Sequence, residues 1–181
     1  MAVESGRRVV VGVDGSIGSL NALRRGAAEA RERGGVLVVL HAWVPPGGDL
    51  AERRHPVLEL RKLWQDAAWQ RLWQAFDAAL GGLPKDVNVE PTVLRGDPWR
   101  VLVEFASRPD DLLVVGAGRR GRLRRLLHCR VPRYCSAYAT CPVLLVPPTQ
   151  LARELGHGLH AWLIRHRALT PGKDEMSGHR R

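Results

Sequence analysis

The chain predicts an α/β fold: a five-stranded, parallel, doubly wound sheet of the Rossmann-like kind, with helices on both faces. Three observations lead there. Nearly continuous runs of β-branched residues and leucine alternate with longer segments whose apolar residues recur about every 3–4 positions, the signatures of a strand buried on both faces and of an amphipathic helix. Each strand-like run closes on glycine, proline, aspartate or serine, the residues of tight turns. The resulting order β-α-β-α-β-α-β-α-β requires crossover connections between parallel strands.

The elements follow in order. Arg7 to Val13 (RRVVVGV) is the first strand, and Asp14-Gly15-Ser16 ends it with residues that also cap a helix. Helix one runs from Ile17 to Arg33, with Leu20, Leu23, Ala27 and Ala30 on one face and Gly34-Gly35 as its stop. Val36 to Trp43 (VLVVLHAW) is the second strand, closed by Val44-Pro45-Pro46-Gly47-Gly48, and Asp49 to His55 reads as irregular. Pro56 to Leu80 is the longest helix. Leu60, Leu63, Trp64, Ala67, Ala68, Leu72, Trp73, Phe76 and Leu80 form its wide apolar stripe. Trp64, Trp69 and Trp73 stand at helical spacing with no interleaved basic residues pointing the same way, so core or subunit contact explains them better than base stacking.

Gly81-Gly82-Leu83-Pro84 breaks that helix, and Val87 to Leu94 (VNVEPTVL) is the third strand. Its alternating pattern and internal Pro91 place it at a sheet edge. Gly96-Asp97-Pro98 starts a short helix to Ser107, with Val101, Leu102 and Phe105 inward. Leu112 to Val115 is strand four, followed by a glycine- and arginine-rich loop and a helix to Tyr138. Pro132 either interrupts that helix or begins a new turn of it. Cys141 to Val146 is strand five, closed by Pro147-Pro148. Residues 1–148 thus read as one domain. The remainder, 149–181, reads as an amphipathic helix (Leu151, Leu155, Leu159, Trp162, Leu163) and a disordered basic tail from Leu169. His157, His160 and His166 share that helix; an i, i+3 histidine pair is weak evidence for a metal site, and they read as solvated surface.

Bulk properties narrow the function classes. At 181 residues, 45% hydrophobic and 25% charged, the chain is an ordinary soluble globular protein with room for a full core. Its net charge of +10 would attract nucleic acid or an anionic membrane. Yet only Lys62, Lys85 and Lys173 are lysines, an arginine bias that fits GC-rich coding at least as well as selected binding. Cys129, Cys135 and Cys141 show no CxxC or Cys/His ligand spacing, which argues against zinc and for reduced thiols in a cytosol. Neither a leader with a cleavage site nor a run near the ~20 apolar residues of a membrane span is found. A catalytic enzyme is the least supported class: there is no Ser-His-Asp arrangement, no paired carboxylate face and no metal cluster. Asp110-Asp111 falls at the amino end of strand four, away from the expected crevice.

That crevice lies beyond the carboxyl ends of the strands, where the winding reverses. Val13 and Asp14, Ala42, and Gly116 each end a strand and share it. The loop after strand four is where such a fold holds phosphate, because a turn and a helix N-terminus present N–H groups and partial positive charge. Gly116-Ala117-Gly118-Arg119-Arg120-Gly121 has the form G-x-G-x-x-G, but it follows strand four and lacks the acid about 20 residues on that a dinucleotide site requires. Arg122-Leu123 stands where a P-loop needs Lys-Ser/Thr.

Three segments together resemble the universal stress protein family: VVVGVDGSIGSLNAL (9–23), VLRGDPWRVLVEFASRPDDLLVVGAGRRG (93–121) and CPVLLVPP (141–148), with LHAW at 40–43 closing strand two. The resemblance covers about residues 7–147. It implies a five-stranded parallel sheet of the adenine nucleotide alpha-hydrolase-like type, a stress-linked role without a characteristic reaction, and dimers joined through the last strand. Many members bind ATP. In them an acid after strand one and backbone after strand two hold the nucleoside, and a loop of glycine, two residues, glycine, nine residues, glycine and serine or threonine holds the phosphates. Asp14, Ala42 and Gly116 match the acid, the strand-two backbone and the first glycine. The second glycine position is Arg119, the third is Cys129 and the hydroxyl position is Arg130, in a register that counting back from Cys141-Pro142 reproduces.

A glycine is needed where backbone approaches phosphate, because a Cβ blocks the approach or forbids positive φ. The ATP loop as the family builds it is therefore degraded. Arg119, Arg120, Arg122, Arg124, Arg125, Arg130 and Arg133 leave open an anion site of another design, since arginine grips phosphate bidentately, or a solvated helix face. The candidate cofactor-binding residues are Val13, Asp14, Ala42, Gly116, Gly118, Arg119, Gly121 and Arg130; no metal or catalytic residues are proposed. The expected function is a dimeric, non-catalytic regulatory binding protein with weak or lost ATP binding. A member that binds ATP through arginines is the alternative, and a nucleic-acid-associated protein ranks last because no recognition module is present.

Overall fold

A computed structural model of the chain describes residues 6–46, 58–117 and 130–147. All of them fall within one compact unit, Met1–Pro148. The elements are β1 (Arg8–Gly12), α1 (Ile17–Arg33), β2 (Val36–Trp43), α2 (Leu58–Leu80), β3 (Asn88–Arg95), α3 (Pro98–Phe105), β4 (Leu112–Gly116), α4 (Arg130–Tyr138) and β5 (Val143–Val146). The five strands form one parallel sheet in the order β3-β2-β1-β4-β5, the architecture expected from the pattern of runs and turns.

The alternation of side chains in β1 sorts the core into two layers. Val9, Val11 and Val13 face the layer filled by Leu23, Ala27 and Ala30 of α1 and by Leu72, Ala75 and Phe76 of α2. Val10 faces the other, with Val101 and Leu102 of α3 and Cys135 of α4. Phe76, Leu23, Leu37, Leu40, Leu72 and Leu113 are fully buried, and each such side chain contributes on the order of 1.5–3 kcal/mol of hydrophobic stabilisation. α1 sits so close to the sheet that a Cβ on Gly26 would stand 2.3 Å from Val11 Cγ2. Its ends are sealed locally: the Ser16 hydroxyl accepts from the Ser19 N–H, and Gly34 caps the carboxyl end at φ 60°.

Pro91 is accommodated as the edge reading requires. The Gly96 N–H donates to Trp43 O at 2.8 Å, so even-numbered N–H groups of β3 face β2 and odd-numbered ones face outward. The missing N–H of Pro91 therefore lies on the unpaired side of the edge strand. Pro132 lies within α4, and the helix runs on past it to Tyr138.

Several boundaries differ from the sequence reading. β5 starts at Val143 rather than Cys141, although Pro142 O already accepts from the Leu113 N–H at 2.9 Å. α3 stops at Phe105, where the Ala106 N–H closes on Leu102 O. The stripe on α2 is only half covered: Ala68, Leu72, Ala75, Phe76 and Ala79 are buried, while Leu60 and Leu63 are exposed. Trp69 packs against the core and stacks on the more exposed Trp73 at 6.0 Å, and Trp73 meets Phe76 at 5.8 Å. Several expectations lie outside the described residues: the tail reading of 149–181, the irregular stretch Asp49 to His55, the expected helix start at Pro56, and the glycine- and arginine-rich loop after β4.

Candidate functional site

The strand order fixes where a ligand can enter. From β1 the chain winds through α1 and α2 toward β3 on one face; it then returns through α3 to β4, on the other side of β1. The helices that follow β1 and β4, α1 and α4, thus pack on opposite faces, which opens a crevice at the carboxyl ends of those strands.

On the β1 side, Asp14-Gly15-Ser16 is a tightly wired turn. The Asp14 carboxylate accepts from the Ser16 N–H at 2.9 Å, the Asp14 N–H donates to Ser19 Oγ at 3.2 Å, and that hydroxyl donates to Ser16 O at 2.9 Å. Gly15 holds φ 80°, a left-handed value that suits glycine. Partial enclosure at the sheet end pushes the Asp14 carboxyl up, but hydrogen bonds from Ser16 and Ser19 outweigh it and hold the group below the usual aspartate value. A fixed, exposed anion results, suited to accepting hydrogen bonds from hydroxyls such as those of a ribose. Val13 is buried, and both its backbone groups are engaged: its N–H donates to Leu40 O at 2.9 Å and its carbonyl accepts from His41 Nδ1 at 2.8 Å.

At the end of β2, Ala42 is half-buried. Backbone groups of Leu40 face β1, as its bond from Val13 shows, and those of Trp43 face β3, where its carbonyl accepts from Gly96. Alternation then turns the N–H and C=O of Ala42 toward β1, past the point where that strand has ended. They form one donor–acceptor pair aimed into the crevice.

On the β4 side, Gly116 is half-buried and the Ala117 N–H donates to Val146 O at 2.8 Å. A Cβ on Gly116 would lie 2.7 Å from both C and O of Gly18 and 3.2 Å from the Ser19 nitrogen. The glycine lets the first turn of α1 close on β4, so it holds the two sides of the crevice together. Arg130, in α4, is exposed. Gly118, Arg119 and Gly121 lie outside the described residues, as does the whole stretch 118–129 with Cys129. Asp14, Ala42 and Gly116 therefore lie at the carboxyl ends of three adjacent strands, β1, β2 and β4, and Arg130 lies in the helix after β4.

Sequence reasoning missed His41. Its ring is only 6% exposed, its Nδ1 holds the Val13 carbonyl, and its Nε2 is buried without a partner. A single polar residue inside the otherwise apolar run VLVVLHAW was the available signal.

The opposite, amino end of the sheet carries the best-buried ion pair among the described residues. Arg8 donates from Nε and Nη2 to the two Asp111 oxygens at 2.8 and 2.6 Å, and also to Phe105 O at 3.3 Å. Asp111 accepts in addition from the Arg108 N–H. Both Asp111 oxygens are met by protein donors far from the crevice, which makes this a structural clamp. Cys135 and Cys141 are free and buried, and burial pushes the Cys135 thiol up to about 11 and raises that of Cys141. Among the described residues, no three His, Cys, Asp or Glu side chains are grouped to hold a metal, and no helix is long and apolar enough to cross a membrane.

The universal stress protein family model matches residues 6–147. A universal stress protein of Mycolicibacterium smegmatis is 32% identical over 145 residues, covering 77% of this chain and 45% of that protein, so the chain spans about half the length of this relative. One of Thermus aquaticus is 28% identical over 146 residues, 77% of this chain and 98% of that protein. Among solved structures, a universal stress protein in complex with cAMP superposes with TM-score 0.57 at 29% identity, over 80% of this chain and 98% of the other. One from Archaeoglobus fulgidus gives TM-score 0.56 at 27% identity, over 77% and 97%.

Proposed function

The chain belongs to the universal stress protein family, and we propose that it is a dimeric, non-catalytic regulatory protein that takes an adenine nucleotide by its nucleoside end and gains little from a triphosphate. The observation that carries this reading is an asymmetry. Asp14, held ionised, and the outward-facing backbone pair of Ala42 give the nucleoside end a donor, acceptors and a fixed place. The positions that would cradle the β- and γ-phosphates hold Arg119, Cys129 and Arg130 instead of glycine, glycine and a hydroxyl. A similar protein of known structure was solved with cAMP, a nucleotide with a single phosphate and no need of such a cradle.

Binding rather than chemistry suits the crevice: around Asp14, Ala42 and Gly116 the described residues set no nucleophile beside an adjacent base. For dimerisation, β5 is an edge strand with one unpaired side, and Leu145 on it is 41% exposed. Pairing with a second copy would bury that edge. A second reading, phosphate held by arginine, draws on Arg130: it is exposed and pairs with no carboxylate among the described residues.

Equilibrium binding of fluorescent cAMP and AMP analogues, to the wild type and to Asp14→Ala, tests the reading. Saturable binding that is lost in the variant is expected. Binding unchanged by the substitution, or none by the wild type, contradicts it. If Arg130→Ala weakens AMP as strongly as Asp14→Ala does, the arginine reading gains.

A further inference from the structure

We propose that His41 is a positioning residue for the nucleotide crevice: its imidazole takes the Val13 carbonyl, which leaves the backbone N–H and C=O of Ala42 open to a base. The proposal rests on the nucleoside reading above and adds a cause for it.

In a parallel pair of strands, each residue facing its neighbour donates to one partner and accepts from the residue two further on. Val13 donates to Leu40 O at 2.9 Å. The next ladder bond would run from the Ala42 N–H to Val13 O, zipping β1 to β2 by one more rung. Among the described residues that rung is missing. The Val13 carbonyl instead receives His41 Nδ1 at 2.8 Å. A side chain has replaced a backbone donor, and the donor it replaced is the N–H of the next residue.

The chemistry of the ring agrees. A carbonyl only accepts, so Nδ1 carries a proton, and in the neutral imidazole Nε2 is then an acceptor. That Nε2 is buried with no partner, and an orphaned buried acceptor is a desolvation penalty that folding alone gives no reason to keep. A leucine at 41 would match its apolar neighbours Leu37 and Val39 on the same strand face without that cost. What the imidazole supplies, and leucine does not, is a donor that ends the ladder one residue early. The Ala42 pair then matches a base edge with adjacent donor and acceptor, as in the amidine edge of adenine.

The test compares wild type, His41→Leu and His41→Asn, since the asparagine amide nitrogen stands near the place of Nδ1 and keeps the donor. Native-state amide exchange, read by NMR without ligand, reports Ala42 directly. Wild type and His41→Asn should show an Ala42 amide that exchanges freely beside protected neighbours in β2. In His41→Leu the amide should gain the missing rung and slow by about 100-fold. On the same proteins, cAMP affinity should fall by about tenfold or more in His41→Leu and stay within about threefold in His41→Asn. Thermal melts establish that both variants are folded.

A wild-type Ala42 amide already protected, or His41→Leu and His41→Asn with the same exchange and affinity, overturns the proposal. If wild type binds no nucleotide but the exchange pattern is as expected, the nucleoside reading fails while the ladder role of His41 stands.

Discussion

Gly116→Ala separates two roles a glycine can have at the end of β4. If Gly116 serves only to admit a phosphate, the ligand-free protein should gain slightly from alanine, by about 0.4–1 kcal/mol through a stiffer unfolded chain, because Gly116 has no positive φ to lose. The contacts say otherwise. The added methyl would lie 2.7 Å from the carbonyl carbon and oxygen of Gly18 and 3.2 Å from the Ser19 nitrogen. These are backbone atoms, and they cannot swing aside as a side chain tip does. The first turn of α1 must move by roughly half an ångström or more, and overpacking of this kind costs about 1–3 kcal/mol. After the entropic gain, a net loss of about 1–2 kcal/mol remains. For a domain of this size that lowers the melting temperature by roughly 3–8 °C. Calorimetry of the ligand-free protein measures it. The shift also disturbs Ser16 and Ser19, which hold the Asp14 turn, so nucleotide binding should weaken as well. A melting temperature unchanged or raised would refute this packing role.

Three further outcomes are expected. Arg8→Met leaves the carboxylate of Asp111, 2% exposed, without its main partner. Urea unfolding should show a loss of about 2–4 kcal/mol, and a loss below about 0.5 kcal/mol would mean that the clamp is dispensable. Glu29 is held below the usual glutamate value by Arg25 and then Arg33, against opposing desolvation. A depressed folded value gives stability that is complete above the ordinary glutamate range and is lost as pH falls through the folded value. Stability measured across the acid limb should therefore fall less steeply in Glu29→Gln than in wild type; identical limbs would remove this contribution. Cys135, with its thiol raised to about 11, and the buried Cys141 should resist thiol-specific labelling in the native protein at pH 8 and react after unfolding. Peptide mapping by mass spectrometry reads both sites, and rapid native labelling of Cys135 would contradict its burial.

What the sequence made legible follows from which interactions are local. α1 and β2 have the expected bounds because both stop signals, Ser16 before and Gly34-Gly35 after, act within a few residues. β3 was placed at an edge from its alternating pattern and Pro91, because a missing N–H is tolerated only on an unpaired side. The half-exposed stripe of α2 was less legible: apolar spacing says which residues share a face, and not how far along the helix the sheet reaches to cover it. For the site, Asp14, Ala42 and Gly116 were found by their places at strand ends and by likeness to a family. Their division of labour was invisible, since the packing role of Gly116 needs the docked α1 and the role of His41 needs two strands side by side. The same holds for Asp111, whose partner Arg8 is 103 residues away.

The central claim is that the nucleoside end of the crevice is kept and the triphosphate cradle is not. Isothermal titration of AMP, ADP and ATP, with and without magnesium, tests it most directly. The account predicts affinities for the three within about threefold of one another and indifferent to magnesium, since 1.4 kcal/mol per tenfold is what each well-held phosphate would have to supply. An affinity that climbs tenfold or more from AMP to ATP and requires magnesium would show that the arginine-rich loop holds the triphosphate after all.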